Sequence, residues 1–353
     1  MARSPQAIEA VVVAGGLLDR SPATDGKAGR PLLLLCSPGR DSMCLLDLAV
    51  RRLGADGVRV LHVDHRLRPE SGDEAAQVLG VARALGVRAV VRTAERAAGG
   101  AWGGRPAASG ESGGNLHAWA RELRHTLAVQ EATRVKARAV ASAHTRTDLV
   151  ETALFRLATQ PGRRALLAMR PRLPDAIAPG VALVRPLLEL SRDDTLAWCR
   201  ARGLHWVDDP SNADRHYARA RLRHSVTPIL RGLNPRYEEA VARTLRELDE
   251  ERDALAALVA DALPCGADAV PIDVLAALPQ PVARLVVREL CERAIGSPVA
   301  RATVRTAELL ERATRSREPF ALDIGDGARL MVRGGVLRCE RSDGPAAPQA
   351  VGA

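Results

Sequence analysis

A short turn at residues 37–42, Ser-Pro-Gly-Arg-Asp-Ser, carries the residue types of an anion-binding site. An apolar run at 32–35 precedes it and an apolar helical pattern follows, so the turn is predicted to join a strand to the start of a helix. Backbone N–H groups and the helix dipole favour phosphate at such a place. An ordinary strand-to-helix turn has the same outline, so this alternative stays open for the turn alone.

Three polar residues further along, His144, Asp148 and Glu151, have the i, i+4, i+7 spacing of a single helix face. A histidine and two carboxylates can hold Mg²⁺ and position a reacting base or amine. A solvated polar helix face with i, i+4 pairing is the alternative interpretation.

A third cluster, His62-Val63-Asp64-His65, ends a predicted strand. An acidic residue at this position of a nucleotide-binding sheet often meets a ribose hydroxyl, which is the role predicted for Asp64. Arg66 and Arg68 are close enough in sequence to reach phosphate. Zinc is disfavoured, because His62 and His65 point to opposite faces of an extended strand.

Two segments are rich in arginine. Arg121 and Arg124 share a helix face and could clamp a nucleotide or RNA phosphate. An Asp-Pro-Ser-Asn turn at 209–212 precedes a helix bearing Arg219 and Arg223, which suits contact with an RNA backbone. A basic solvated helix surface is the alternative for both segments.

Strands are predicted to alternate with helices through the first half of the chain, which indicates an α/β fold with a doubly wound parallel sheet. The clusters after 36, 63 and 142 then share the carboxyl ends of the strands, where ligands bind. Helices are predicted at 5–19, 191–202 and through most of 214–262. A loop with room for a short strand is predicted at 171–186, and a small helix-then-strand module at 271–340. The segments 95–114 and 342–353 are predicted to be a mobile loop and a disordered tail.

The sequence has 353 residues, a net charge of +9 and only 2% aromatic residues, so its core is predicted to be aliphatic. The positive charge is almost all arginine and suits a polyanion such as RNA, although a GC-rich genome would also raise arginine content. The cysteines form no C-x-x-C pair, which disfavours a zinc or iron–sulfur site. Without a signal peptide or a membrane-length apolar run, a cytoplasmic protein with no membrane association is expected.

Taken in order, these clusters resemble the tRNA(Ile)-lysidine synthetase family of N-type ATP pyrophosphatases. The turn at 37–42 matches the family's Ser-Gly-Gly-x-Asp-Ser loop in five of six positions, counting the free one. The resemblance runs from about 30 to 245 and includes Arg185-Pro186-Leu187-Leu188 and Glu151-Thr152. It implies an adenine nucleotide alpha hydrolase-like catalytic domain at 1–225. A helical linker with a small C-terminal α+β, tRNA-binding domain would follow at 226–341, then the tail.

The resemblance implies a ligase that joins free L-lysine to C2 of the wobble cytidine in the CAU anticodon of isoleucine tRNA. ATP would first adenylate the cytidine and release pyrophosphate, and lysine would then displace AMP. ATP and Mg²⁺ are the implied cofactors, and a homodimer is the implied assembly. The alternatives are a tRNA 2-thiolation enzyme of the same fold, or a non-catalytic RNA-binding relative.

The resemblance also implies roles for individual residues. The residues implied to bind the nucleotide are Ser37, Pro38, Gly39, Arg40, Asp41, Ser42 and Asp64. The residues implied to take part in catalysis are Asp41, Arg124, His144, Asp148 and Glu151, with Asp41 and Asp148 as Mg²⁺ ligands.

The chain departs from the family at three positions. Pro38 replaces a glycine, which removes an N–H and forbids positive φ. Thr147 replaces the first aspartate of a common pair, and His125 replaces a common tyrosine. We expect His125 to alter packing only.

Overall fold

The computed structural model describes residues 2–19, 29–67, 71–94, 114–159, 166–167, 169–207, 218–297, 299, 305–315 and 318–342. Arg68 and the segments 95–113, 209–212 and 343–353, on which predictions were made above, lie outside these ranges. The chain forms two compact units, Met1–Leu245 and Arg246–Ala353. The functional domains 1–225 and 226–341 stay predictions, because compactness divides the chain after Leu245.

The first unit is built on a mostly parallel sheet of six strands in its described part, ordered β3-β2-β1-β4-β6-β5. The strands are β1 (Leu32–Leu35), β2 (Val58–Asp64), β3 (Arg88–Thr93), β4 (Ala139–Ala141), β5 (Arg172–Ala178) and β6 (Val181–Val184). All neighbours pair in parallel except β5 and β6. The predicted doubly wound α/β fold is confirmed.

The helices of this unit lie between and after the strands. They are α1 (Pro5–Ala14), α2 (Arg40–Leu53), α3 (Ser71–Ala84), α4 (Gly114–Arg134), α5 (Arg146–Thr159), α6 (Arg192–Ala201), α7 (Ala218–Arg221) and α8 (Thr227–Leu233). A further helix, α9 (Tyr237–Ala262), begins in this unit and ends in the second. A π-helical turn, Leu222–Val226, joins α7 to α8.

The leucines of β1 show why helices cover both faces of the sheet. Leu32 and Leu34 belong to one buried cluster, with Met43 of α2. Leu33, which points the other way, belongs to a second cluster with Ala128 of α4. From β1 the chain moves outward to β2 and β3 and then returns to β4 on the other side of β1. The carboxyl ends of β1 and β4 therefore form the switch point where ligands bind.

Three element boundaries differ from the sequence prediction. The first helix ends at Ala14 rather than 19, because Gly15 caps it and Gly16 has φ 65°. The prolines at 171–186 predicted a loop with room for one short strand, but the segment forms the two strands of the β5–β6 hairpin. The strand that contains Pro174, β5, is an edge strand with a register shift, where proline is tolerated. The stretch 214–262 is interrupted before Tyr237, since Asn234 is extended.

The second unit has an antiparallel sheet, ordered β7-β10-β9-β8 in its described part. Its strands are β7 (Ala269–Pro271), β8 (Phe320–Gly325), β9 (Ala328–Arg333) and β10 (Val336–Arg341), and its own helices are α10 (Ile272–Ala277), α11 (Gln280–Ile295) and α12 (Thr306–Arg315). One aliphatic cluster fills the core between helices and sheet. This agrees with the predicted small α+β module. Among the described residues, no helix has the length and apolar character needed to cross a membrane.

Candidate active site

Hydrogen bonds to its own two serines hold the turn after β1, residues 37–42, in shape. The Ser37 backbone N–H donates to Ser42 Oγ at 3.2 Å, and the two hydroxyls lie 2.9 Å apart. The Gly39 N–H donates to Ser37 Oγ at 3.4 Å. Gly39 is the N-cap of α2 and makes no side-chain cap bond. The start of α2 therefore keeps its electrostatic preference for an anion.

Pro38 is compatible with this turn. None of the residues from 37 to 42 has positive φ, and Gly39 itself has φ −68°. The Pro38 carbonyl accepts a hydrogen bond from the Val207 N–H at 3.0 Å. The shape of the turn thus does not need the backbone freedom of glycine at position 38, although the missing N–H remains a difference.

Asp41 lies at the start of α2, and several donors hold its carboxylate. Thr195 Oγ1 donates to Oδ1 at 2.5 Å, Arg40 Nε donates to Oδ1 at 3.3 Å and Arg192 Nε donates to Oδ2 at 3.2 Å. Its side chain is only 15% exposed. The carboxylate is therefore held beside the turn at 37–42 by residues from both α2 and α6.

The end of β2 adjoins the same turn. His62 is buried, and its Nδ1 lies 2.8 Å from the Cys36 carbonyl oxygen, which ties β2 to the residue before the phosphate turn. Asp64 accepts the Arg66 N–H at 2.8 Å, and Arg66 has φ 49°. No group of three metal-ligating side chains occurs within the described ranges. The ribose role of Asp64 stays a prediction.

His144 lies in the turn between β4 and α5, because the helix starts only at Arg146. The expectation that His144 is part of the helix is therefore wrong, although the charge of Asp148 still acts on its ring. Ser142 Oγ and His144 Nδ1 are 2.9 Å apart. Burial lowers the pKa of His144 to about 4; nearby arginines reinforce the decrease and Asp148 opposes it. The imidazole is neutral near pH 7.

Asp148 closes the first turn of α5. Its Oδ2 accepts from both the N–H and the hydroxyl of Thr145, each at 2.8 Å. Burial by itself would raise the pKa of Asp148. The Thr145 N–H and the charge of Arg192 outweigh burial, and the pKa falls below its ordinary value. Asp148 is thus an ionised carboxylate held in place by the start of its own helix.

Glu151 is paired with Arg223. Arg223 Nε and Nη2 donate to the two carboxylate oxygens at 2.8 Å each, and the Glu151 side chain is 3% exposed. Arg219 Nη2 lies 3.3 Å from Thr152 Oγ1, one residue along α5. The sequence interpretation placed Arg219 and Arg223 on RNA, but in this structure they connect the segment after 217 to α5.

Arg124 of α4 belongs to the same side of the sheet. Its charge contributes to lowering the pKa of both His144 and His65. Burial is the larger cause for His65, whose pKa falls to about 4. His65 also makes an edge-to-face contact with Trp119 of α4, with ring centroids 5.9 Å apart. His125 is exposed, and its Nε2 lies 3.0 Å from the Ala176 carbonyl oxygen. That His125 alters packing only stays a prediction.

Two residues on Asp41 were not predicted from the sequence, Arg192 and Thr195. The only sequence signal was the Ser191-x-x-Asp194 pattern, which forms a capping box and sets the start of α6. That pattern locates a helix start but does not indicate which strand end the helix faces.

The carboxylates of Asp41 and Asp148 fit a magnesium ion that arrives with a nucleotide. The charges of both carboxylates act on Arg223, and Arg192 interacts with both of them, so the two carboxylates lie in the same part of the site. Mg²⁺ in phosphate sites commonly takes one or two carboxylates plus substrate phosphates rather than a full protein cage. A site without three clustered protein ligands is therefore compatible with this ion.

Comparison with known proteins places this arrangement in a family. A PP-loop domain model matches residues 19–230. A tRNA(Ile)-lysidine synthase of Salinispora tropica is 36% identical over 316 residues, covering 87% of this chain and 90% of that protein. A tRNA(Ile)-lysidine synthase of Leifsonia xyli subsp. xyli is 34% identical, and the match covers 88% of this chain and 89% of that protein.

Among solved structures, a U34-tRNA thiolase from Methanococcus maripaludis superposes with a TM-score of 0.56 at 12% identity, covering 69% of this chain and 78% of its own. At that identity the likeness supports the fold alone. The matches over most of both sequences go further: the chain belongs to the tRNA(Ile)-lysidine synthase family, ATP-using ligases with a PP-loop domain.

Proposed function

We propose that this chain ligates free L-lysine to C2 of the wobble cytidine of isoleucine tRNA bearing a CAU anticodon. ATP first adenylates the C2 oxygen and releases pyrophosphate, and the lysine amine then displaces AMP. Family membership supports the reaction class. The observation that carries the assignment to this site is the convergence of the uncapped α2 start, Asp41, His144 and Asp148 at the ends of β1 and β4.

The start of α2 would bind the ATP phosphates through backbone N–H groups, with Ser37 and Ser42 shaping the turn. Asp41 and Asp148 would hold Mg²⁺, which when bound neutralises charge that develops on the leaving pyrophosphate. Arg124 would add a fixed positive charge near the adenylated base. Asp64 would meet the ribose.

His144 would serve the lysine step. Its low pKa keeps the imidazole neutral at physiological pH. Since Nδ1 is engaged by Ser142, Nε2 is the ring nitrogen for a contact with the incoming amine. The neutral ring can accept the proton that the amine loses as it bonds to C2 and AMP departs. Asp148 can attract the lysine cation, whereas both oxygens of Glu151 are already bound by Arg223.

The test incubates the full chain with ATP, Mg²⁺, labelled lysine and CAU-anticodon isoleucine tRNA. We expect label in the tRNA and release of AMP and pyrophosphate. A matched isoleucine tRNA with a GAU anticodon is the control and should stay unlabelled. Absence of label in the CAU tRNA, with ATP binding intact, would refute the proposal.

The Asp41→Asn variant separates an enzyme from a simple RNA-binding protein. We expect it to lose lysine incorporation while it keeps tRNA affinity. The 2-thiolation alternative has less support, because the thiol nearest the phosphate turn, Cys36, is buried and its pKa is raised to about 12. A homodimer and a cytoplasmic location stay predictions.

A further inference from the structure

Arg192 has no part in the function proposed above, yet it contacts the central carboxylate. It is the first residue of α6, and its Nε donates to Asp41 Oδ2 at 3.2 Å. Its side chain is 26% exposed, so the contact is partly shielded from water. The Arg192 guanidinium thus places a positive charge next to the Asp41 carboxylate.

The position of Arg192 is determined from several sides. Its backbone N–H donates to Thr147 Oγ1 at 3.2 Å, and Thr147 in turn donates to the buried Glu238 at 3.1 Å. The preceding residue, Ser191, forms a capping box with Asp194. The departure at Thr147 thus has a structural consequence, since its hydroxyl holds the start of α6.

The first turn of α6 contacts both oxygens of Asp41. Thr195 donates to Oδ1 while Arg192 donates to Oδ2. Of these two α6 contacts, one is neutral and the other carries a full charge; Arg40 of α2 makes a further charged contact with Oδ1, at 3.3 Å. The charge of Arg192 also acts on Asp148, the second carboxylate proposed for the metal. A divalent cation that approaches either carboxylate without a nucleotide meets this fixed positive charge.

We propose that Arg192 is a positioning residue whose guanidinium occupies the Asp41 carboxylate until a nucleotide delivers a divalent cation. A cation that is bound to triphosphate arrives together with negatively charged phosphate oxygens. Arg192 can bind these oxygens after it has left Asp41. A free cation offers no such replacement. The protein therefore excludes the metal alone and accepts it with ATP. This inference rests on the proposed use of Asp41 at the nucleotide site.

The test measures Mn²⁺ binding by electron paramagnetic resonance, with and without a non-hydrolysable ATP analogue. For the nucleotide-free protein we expect Arg192→Gln to bind Mn²⁺ about tenfold more tightly than the unmodified chain, because a repulsive charge is removed. Arg192→Lys keeps the charge and should stay close to the unmodified chain. Thr195→Val removes the neutral contact on the same carboxylate, and we expect no gain from it.

Adding Asp41→Asn to Arg192→Gln should abolish the gain, which assigns it to that carboxylate. The inference is overturned if Arg192→Gln binds free Mn²⁺ no more tightly than the unmodified chain, or if Arg192→Lys gains as much as Arg192→Gln. Lysine transfer is a separate readout. Its failure with the Mn²⁺ pattern intact would refute the proposed reaction but leave the role of Arg192 standing.

Discussion

Removing Arg223 should destabilise the first unit far more than removing a comparable surface arginine. Arg223 makes two parallel hydrogen bonds of 2.8 Å to Glu151, whose side chain is 3% exposed. In Arg223→Met the aliphatic volume is largely kept, but the Glu151 carboxylate is left buried and unpaired. The free energy of unfolding should therefore fall mainly through the stranded charge, not through a cavity.

The expected loss can be bounded. Breaking one side of a buried ion pair costs about 3–5 kcal/mol. Arg223 is 21% exposed, so water can enter the space it leaves, and we expect the lower end, about 3 kcal/mol. The matched surface pair is Arg52 with Asp19, which also has two donor contacts, at 3.1 and 2.7 Å, but is nearly half exposed on both sides. Arg52→Met should cost at most about 1 kcal/mol.

Urea unfolding followed by tryptophan fluorescence is suited to this measurement. The four tryptophans of the sequence all precede residue 246, so the signal reports on the first unit alone. A double-mutant cycle with Glu151→Gln isolates the pair. We expect the double variant to be more stable than Arg223→Met alone, with a coupling free energy of about 2 kcal/mol.

Two outcomes would refute this reasoning. One is a loss in Arg223→Met no larger than that in Arg52→Met. The other is a double variant that is no more stable than Arg223→Met, because neutralising Glu151 should relieve the stranded charge.

Three further predictions concern stability. In the folded protein His144 stays neutral down to about pH 4, whereas in the unfolded chain it takes a proton near its ordinary pKa of 6.5. Between these two pH values the unfolded state binds more protons than the folded state. The free energy of unfolding should therefore fall as pH drops from 6.5 to 4, by at most about 1.4 kcal/mol per pH unit for this group. His144→Gln should flatten that slope in urea titrations at several pH values. Asp47 is 2% exposed and accepts from Trp198 Nε1 at 3.0 Å, and Asp47→Ala should cost about 2–3 kcal/mol and alter tryptophan emission on the same titration. Gly296 caps α11 at φ 72°, and Gly296→Ala should destabilise the second unit by about 1 kcal/mol in calorimetry while the tryptophan transition stays unchanged.

The fold was largely predictable because its signals are local. The four leucines of β1 read as a strand buried on both faces, and the structure places it in the middle of the sheet. Errors occurred where tertiary context overrode a local rule. The prolines near 174 indicated a loop, but an edge strand needs only one hydrogen-bonded side and can contain them.

The places of the candidate site residues in the fold were predictable from the sequence, but their hydrogen-bond partners were not. Asp41, His144 and Asp148 follow the ends of β1 and β4, as the alternation of strands and helices predicted. The interpretation of His144 as a helical residue was wrong, because Thr145 and Asp148 cap the helix after it. Spacing in sequence cannot distinguish a residue one turn inside a helix from one just before its cap.

The sequence by itself determined the order of strands and helices, the strand-to-helix turn at 37–42 and the family to which the chain belongs, because each of these follows from residues close together along the chain. Only the tertiary structure decided which charges neutralise one another. Arg223 joins Glu151 across 72 positions, and Arg192 joins Asp41 across 151. Such pairs depend on how whole elements pack against the sheet, and side-chain charge alone carries no information about the partner it will meet.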